Sequence, residues 1–559
     1  VNFEPKRFAV LCPGSTLKAP GSVILGLALS MSSCEDFLTR DNPTGITDAE
    51  FWKTSGQVEA ALGQCYNLPH GTHHYTSPYI SMVHQEGLTD NSYHGADFEG
   101  WIVSAGNGTI TAEDGKMSEL WSARYSIIRK CCRLLENMDK AYFVDEPERE
   151  KIRGEAIILR VYYHWELMRY FGLEEGIPIV DHSLTPNENF MARSSAGEVY
   201  DWMLTELDRA IAIEDLPFKY DDSRKTKVDR SVAYALKSII ALNAKRYDIA
   251  RDAAKKVIDS GEYELYYTAQ TDDQPGKNFR DLFRSVGQNN KERILYSAAG
   301  LREAFFRCAG PGLGQQCTVN PLLSFVNSFE TMQGKTLDEL GPDSLAIYSR
   351  DPFYHNNRDP RLFLSVIAPG DSTTFSHYTY NPFVEGPEAI GRPNASRTGF
   401  MLKKYIDPLD RNHPYNGSNA FYIIRYAEIL LTYVEALIES GDWQNLDVLK
   451  YINDIRRRAD MIEATSNQYN SQDKVRELLR RERRVELAFE GSRYLDIRRW
   501  GIADKVMDGP IYGAINPATG EPIQVETRIF KKNKNEVFPI PQSELIANEN
   551  MTQNKGYFG

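Results

Sequence analysis

Cysteine is scarce in this sequence, 7 residues among 559, too few to staple a chain of this length with disulfides. Setting aside Cys12 and Cys34 leaves Cys65, Cys131, Cys132, Cys308 and Cys317, an odd set with no CxxC spacing, which argues against a structural zinc site. Cys308 and Cys317 flank a Gly/Pro-rich loop and could bridge in an oxidising compartment. Long apolar runs are also missing: no stretch outside the N-terminal segment reaches the roughly 18 residues that a membrane helix needs. There is no long run of Lys and Arg alone, and the formal net charge is −12. The basic face of a phosphate-backbone binder is therefore absent, which argues against nucleic acid as a partner. No P-loop, nucleophile elbow or HExxH signature occurs, so the common motif-borne chemistries have no foothold.

Aromatic residues, by contrast, are plentiful. Tyr (31), Phe (25) and Trp (7) make up 11% of the chain. Most belong in a core; the remainder can act as flat apolar platforms with a polar tip, suited to the C–H faces of sugar rings. The N-terminal segment has the pattern of a targeting sequence. Lys6, Arg7 and Lys18 precede an apolar run from Val23 to Leu29, and Ser32 and Ser33 precede Cys34, so residues 1–33 read as a signal peptide. A Cys directly after that exit resembles a bacterial lipoprotein processing site, with Met31 where Leu is usual. Acyl chains on Cys34 would then be the membrane attachment.

Helical periodicity dominates the rest. The spacing predicts helices over 48–66, 118–138, 148–171 and 196–213, then two helix pairs, 232–242 with 247–260 and 422–439 with 443–458. Paired helices of this kind resemble tetratricopeptide repeats, which bury their apolar faces by stacking. Residues 70–111 break the pattern with Gly, His, Tyr, Asn and Asp, and a loop of that length is usually functional. Residues 262–419 are rich in Gly, Pro, Asn and Asp, with short apolar runs such as Ile294–Ala298 and Leu362–Ile367, and read as irregular structure with a few short strands.

The sharpest local sequence runs from Arg480 to Gly501. Glu482 and Glu486 lie one helical turn apart and share a face, which could suggest the carboxylate pair of a glycosidase. Arg480, Arg481, Arg483 and Arg484 offer partners that would keep both ionised, so a scaffold role is the better reading. This segment resembles the ERR-x-EL-x-F-E-G-x-R-x-x-D-x-R-R-W block of the SusD/RagB family. Arg425–Leu431 resembles that family's RxAEilL helix, Asp359-Pro360-Arg361-Leu362 its DPRL element, and Val537–Pro541 with Glu544 and Gln553–Tyr557 its PIP…E…QNxGY terminus. The resemblance implies a mostly α fold, a tetratricopeptide-like right-handed bundle with a loop-rich region and few strands. It implies an N-terminal region over 34–261 carrying the loop 70–111, and a C-terminal region over 262–559. It further implies a non-enzymatic nutrient-binding lipoprotein on the outer-membrane surface that takes an oligosaccharide, needs no cofactor, and works with a SusC-like TonB-dependent transporter. Glu35-Asp36 is similar to the acidic surface-export signal of such lipoproteins. Peptide uptake, as in RagB-like relatives, remains open, and a glycoside hydrolase or an intracellular peptide-binding scaffold are the rival readings.

Chemistry suggests the glycan contacts. Asp90, Asn91, Tyr93, His94 and Trp101 combine a stacking platform with donors and acceptors for hydroxyls. Arg302, Phe305, Phe306 and Arg307 form a second group, and Tyr378 with Tyr380 a third. His70, His73, His74, His84 and His94 cluster as well, but Pro69 and Gly71 favour a loop, and no metal site is expected.

Overall fold

Side-chain caps mark where the chain enters its helices. In the computed structural model, Thr54 and Gln57 form a reciprocal box at the start of Ser55–Gly63, as do Ser195 and Glu198 for Ala196–Ile211. Asp114, Asp229, Asn445 and Ser471 accept from first-turn N–H groups to open Gly115–Asn137, Arg230–Asn243, Leu446–Arg458 and Gln472–Glu486. Each cap satisfies donors that a helix leaves unpaired at its start. The structure describes residues 48–557 apart from 70, 73–80, 97–98, 299, 349, 351–353 and 373–378. The segment 1–33, Cys34, Glu35, Asp36, His70, His73, His74 and Tyr378 therefore lie outside the described residues. Of two compact units, Val1–Phe51 contributes the helical turn Asp48–Phe51, and Trp52–Gly559 holds all the other elements.

Within the larger unit the long helices pack in chain order: Gly115–Asn137 on Glu146–Leu167, that helix on Ala196–Ile211, then Arg230–Asn243 and Tyr247–Asp259. Tyr426–Glu439 packs on both members of that last pair and receives Leu446–Arg458 and Gln472–Glu486 on its other contacts. The expected stacked-pair frame is thus present. In both pairs the linking turn passes through the left-handed region, at Lys245 (φ 57°) and at Gly441 (φ 92°). Several helix starts differ from the sequence reading: the stretch 48–66 divides into Asp48–Phe51 and Ser55–Gly63, the latter capped by Thr54, and the helix expected from residue 118 begins at Gly115. Residues 421–425 form a strand against Arg293–Ser297, and the helix begins only at Tyr426. Ile423 and Ile424 suit a strand, and pairing across the sheet overrides the helical spacing that follows. In the second pair the helix waits for its cap at Asn445 rather than opening at Trp443.

The region 262–419 is less irregular inside than its composition suggests. Its short strands pair antiparallel (Ser92–His94 with Val319–Pro321, Val366–Ile367 with Met401–Leu402), and its aromatics Phe279, Phe283, Phe325, Phe400 and Tyr405 share one core with Phe421 and Phe489. Cys308 and Cys317 are buried free thiols in that core, so the bridge that their spacing allowed is not made.

Charged residues cross this core as a connected network. Arg361 Nη1 donates to both Glu482 and Glu486, and Arg361 also binds Asp359 at 2.7 Å. Arg425 reaches Glu486 at 2.8 Å, Glu490 at 2.6 Å and Glu292 at 2.7 Å, and Arg458 binds Glu486 as well. The partners of Glu482 and Glu486 therefore come from other elements, not from their helix neighbours. Successive residues on a helix point about 100° apart, and the neighbours face elsewhere: Arg481 toward Glu330, Arg483 toward Asp496, Arg484 toward Asp90.

Candidate functional site

The first candidate loop carries a short 3-10 turn, His84–Leu88, and the strand Ser92–His94, with Tyr93 opposite Asn320. Its polar residues turn inward. Arg493 grips Asp90 with two contacts of 2.8 Å, and Arg484 adds a third at 2.9 Å. Burial alone would raise the Asp90 carboxyl, but the charges of Arg484 and Arg493 bring it down to about 2. Asn91 accepts from Arg484 Nε at 2.8 Å and donates to Glu86 at 3.0 Å. Glu86 also accepts from the backbone N–H of Phe489 at 2.9 Å. Arg528 closes the loop by donating to the carbonyls of Thr89 (2.6 Å) and Ser92 (3.0 Å).

A second buried cluster joins this loop to the segment around residue 305. Glu99 Oε2 lies 3.3 Å from His94 Nε2 and 3.5 Å from His84 Nδ1. Burial pushes the Glu99 carboxyl up to about 7 against the pull of Arg307 and Lys116, and burial together with Arg307 pushes His94 down to about 3. Arg307 pairs with Glu303 at 2.9 Å. The backbone continues the link: Gly95 N–H donates to Thr318 O, and Thr318 N–H to Arg307 O, both at 2.8 Å.

Several residues expected to meet a ligand therefore serve the support beneath it. Asp90, Asn91 and Arg307 are buried and paired, because guanidinium groups drawn into a dry region need acceptors there, and His94 is buried beside Glu99. Phe305 and Tyr380 pack in the core. What stays accessible is aromatic and cationic. Trp101, in the helix Gly100–Gly106, is half-buried: one ring edge meets Phe538 at 6.5 Å, and Lys116 Nζ stands 6.0 Å from its centre. Tyr93 is also half-buried and Arg302 is exposed. Phe306 packs against Tyr415 in a tilted arrangement, 4.3 Å between centroids at 39°, and Tyr415 is 58% exposed. Sequence reasoning missed Tyr415 and Lys116. The turn-rich run His413-Pro414-Tyr415-Asn416-Gly417 carried the signal for the first; Lys116 had none.

Two profile matches cover nearly all of this chain. The SusD family matches residues 260–557, and a family described as starch-binding, associating with the outer membrane, matches residues 36–242. The chain belongs to the SusD family. The similarity extends over most of the length of related SusD-like proteins. A SusD-like protein P2 of Formosa agariphila is 25% identical over 552 residues, covering 95% of this chain and 98% of the relative. A SusD-like protein of Bacteroides ovatus is 23% identical over 506 residues, covering 87% and 83%. Among solved structures, a SusD-like carbohydrate-binding protein of Bacteroides fragilis superposes with a TM-score of 0.77 at 26% identity, covering 90% of this chain and all of its own.

For this SusD-family chain the buried carboxylates also bear on catalysis. Glu486 would be raised by burial, yet Arg458, Arg425 and Arg361 hold it far below the usual carboxylate range. A general acid needs the reverse shift. Among the described residues no group of three or more His, Cys, Asp or Glu is arranged to hold a metal ion.

Proposed function

We propose that this protein captures oligosaccharides without chemical change at a bacterial outer-membrane surface, anchored by acyl chains on Cys34, and delivers them to a SusC-like TonB-dependent transporter. The observation that carries the reading is the accessible aromatic rings, Trp101 on one side and the Phe306–Tyr415 pair on the other, each on a segment held by buried ion pairs. Rigid flat rings flanked by cationic and hydroxyl groups recognise sugars at little ordering cost, since the platform is formed before the ligand arrives. The family description, starch-binding and associated with the outer membrane, supports both ligand class and location. Glu486, held ionised by Arg458, Arg425 and Arg361, supports binding over hydrolysis.

Calorimetric titration with a panel of neutral oligosaccharides tests it. At least one should bind with unchanged length after overnight incubation, and Tyr415→Ala, which removes an exposed ring, should weaken that binding about fivefold or more. Release of reducing sugar, or binding only to oligopeptides, overturns the reading.

A further inference from the structure

A groove of about 1060 Å³ opens between the link 219–229, the segments 263–267 and 289–296, and the helices Tyr426–Glu439 and Leu446–Arg458. It shares no lining residue with the surface around Trp101 and Tyr415. Its wall is tyrosine: Tyr220, Tyr263, Tyr266, Tyr267, Tyr296 and Tyr451 line it. Tyr263 stacks on Tyr426 with centroids 6.4 Å apart, and Tyr267 is 55% exposed. Tyr296 is only 6% exposed, and among the described residues its hydroxyl has no hydrogen-bond partner, although buried phenol hydroxyls ordinarily find one.

Cations rest on these rings. Lys219 Nζ lies 4.2 Å from the Tyr263 centre, the Arg293 guanidinium 4.5 Å from that of Tyr296, and Lys450 Nζ 3.8 Å from that of Tyr451. Burial, then repulsion from Lys291 and Arg293, holds the Lys219 ammonium below its ordinary range despite Glu262 and Asp229. The groove's carboxylates are occupied: Asp229 caps a helix, Asp222 faces Lys225 at 3.7 Å, Glu264 faces Lys291 at 3.6 Å, and Asp454 faces Lys450 at 3.4 Å. Arg293 has no carboxylate partner among the described residues, and its Nε is buried without an acceptor. The electron-rich ring faces hold Lys219 and Arg293 close enough to repel each other, and an anion entering the groove would relieve that repulsion.

We propose that this groove is a second carbohydrate site, one that takes oligosaccharides bearing a carboxylate or sulfate. Tyrosine rings pack on the sugar faces, while Arg293 and Lys219 receive the anionic group, the guanidinium as a two-pronged donor. The inference rests on the carbohydrate reading above, and the experiment separates the two. Purified full-length protein is titrated with hexa-galacturonate, a sulfated carrageenan hexasaccharide and neutral maltohexaose. At least one acidic probe should bind, more weakly as salt rises. Arg293→Ala and Lys219→Ala should each weaken that binding about tenfold or more, and Tyr267→Ala should weaken it too, while Trp101→Ala leaves it unchanged. The two acidic arms tell carboxylate from sulfate recognition. Because Arg293 sits in a strand, each variant is checked by its melting curve, and the exposed Lys291→Ala provides a variant that cannot disturb the fold; it should lose affinity by a smaller factor. Failure of both acidic probes, or wild-type binding by the folded Arg293 and Lys219 variants, overturns the groove proposal. If maltohexaose or another member of the neutral panel still binds through Trp101 in that case, the carbohydrate function stands without the groove; if neither the acidic probes nor any of the neutral panel binds and only oligopeptides do, both fall.

Discussion

Trp101 and Glu99 are two positions apart and do opposite things. Trp101 shows part of its ring to solvent and leans one edge on Phe538, whose ring stacks on Tyr170 at 5.6 Å. Trp101→Ala should therefore cost about 1–3 kcal/mol of binding, and some stability, though less than the roughly 3–5 kcal/mol of a fully buried Trp. Titration beside a melting curve checks both, and a large loss of stability with affinity intact would make the ring purely structural. Glu99 is buried with its carboxyl pushed up to about 7. A carboxyl raised by folding stabilises the native state while it is protonated, below its unfolded value, and that contribution disappears as pH climbs through 7. Glu99→Gln, neutral at every pH, should then melt higher than the parent at pH 8, by an amount equivalent to roughly 1–3 kcal/mol, and the difference should vanish below the ordinary carboxylate value, near about pH 4. Equal gains at both pH values would show that ionisation of Glu99 is not what burial resists.

At the scale of elements, the Arg/Glu network explains why an all-helical frame can hold a region as varied as 262–419. The helix Gln472–Glu486 sends Glu482 and Glu486 to Arg361 of the inserted region and Arg425 at the strand–helix junction, while Arg484 goes to the loop that carries Trp101. Glu486→Ala would leave Arg361, Arg425 and Arg458 facing one another in a dry interior, a loss of about 3–5 kcal/mol for a buried pair broken on one side. Chemical denaturation should show that loss, while sugar affinity in the folded fraction stays near the parent's; a stable variant that loses binding would move Glu486 from scaffold to site. Helix content was legible in the sequence because apolar spacing and caps are local: Ser195, Glu198 and Asp229 announce their helices in the order of residues alone. The strand Phe421–Arg425 was not, because its partner, Arg293–Ser297, lies more than a hundred residues away. The site was legible by region and not by side chain. Asp90 and Asn91 have the chemistry of ligand contacts, and only the distant Arg484 and Arg493 decide that this chemistry is spent inside, while Arg307 is taken up by Glu303 four residues before it. Tyr415 escaped for the same reason, since its value comes from Phe306 beneath it.

For the whole molecule the open physical question is what keeps it at a membrane. Among the described residues no helix is long and apolar enough to cross one, and a net charge of −12 repels anionic lipid rather than binding it. Acylation at Cys34 would supply the attachment that neither feature gives. A single acyl chain holds only marginally, whereas the several chains of a bacterial lipoprotein hold stably, at about 0.8 kcal/mol for each buried CH₂. A protein held this way should stay with membranes through a high-salt wash, since burial of hydrocarbon is not screened. Cys34→Ala should abolish palmitate incorporation and move the protein to the soluble fraction. Expression in a host without a SusC-like barrel removes the one other contact that could retain it, so the fractionation then reads the lipid alone. Retention of the unlabelled variant at the parent's level in that host would overturn the anchor, and with it the assignment of Cys34 as the first residue of the mature chain.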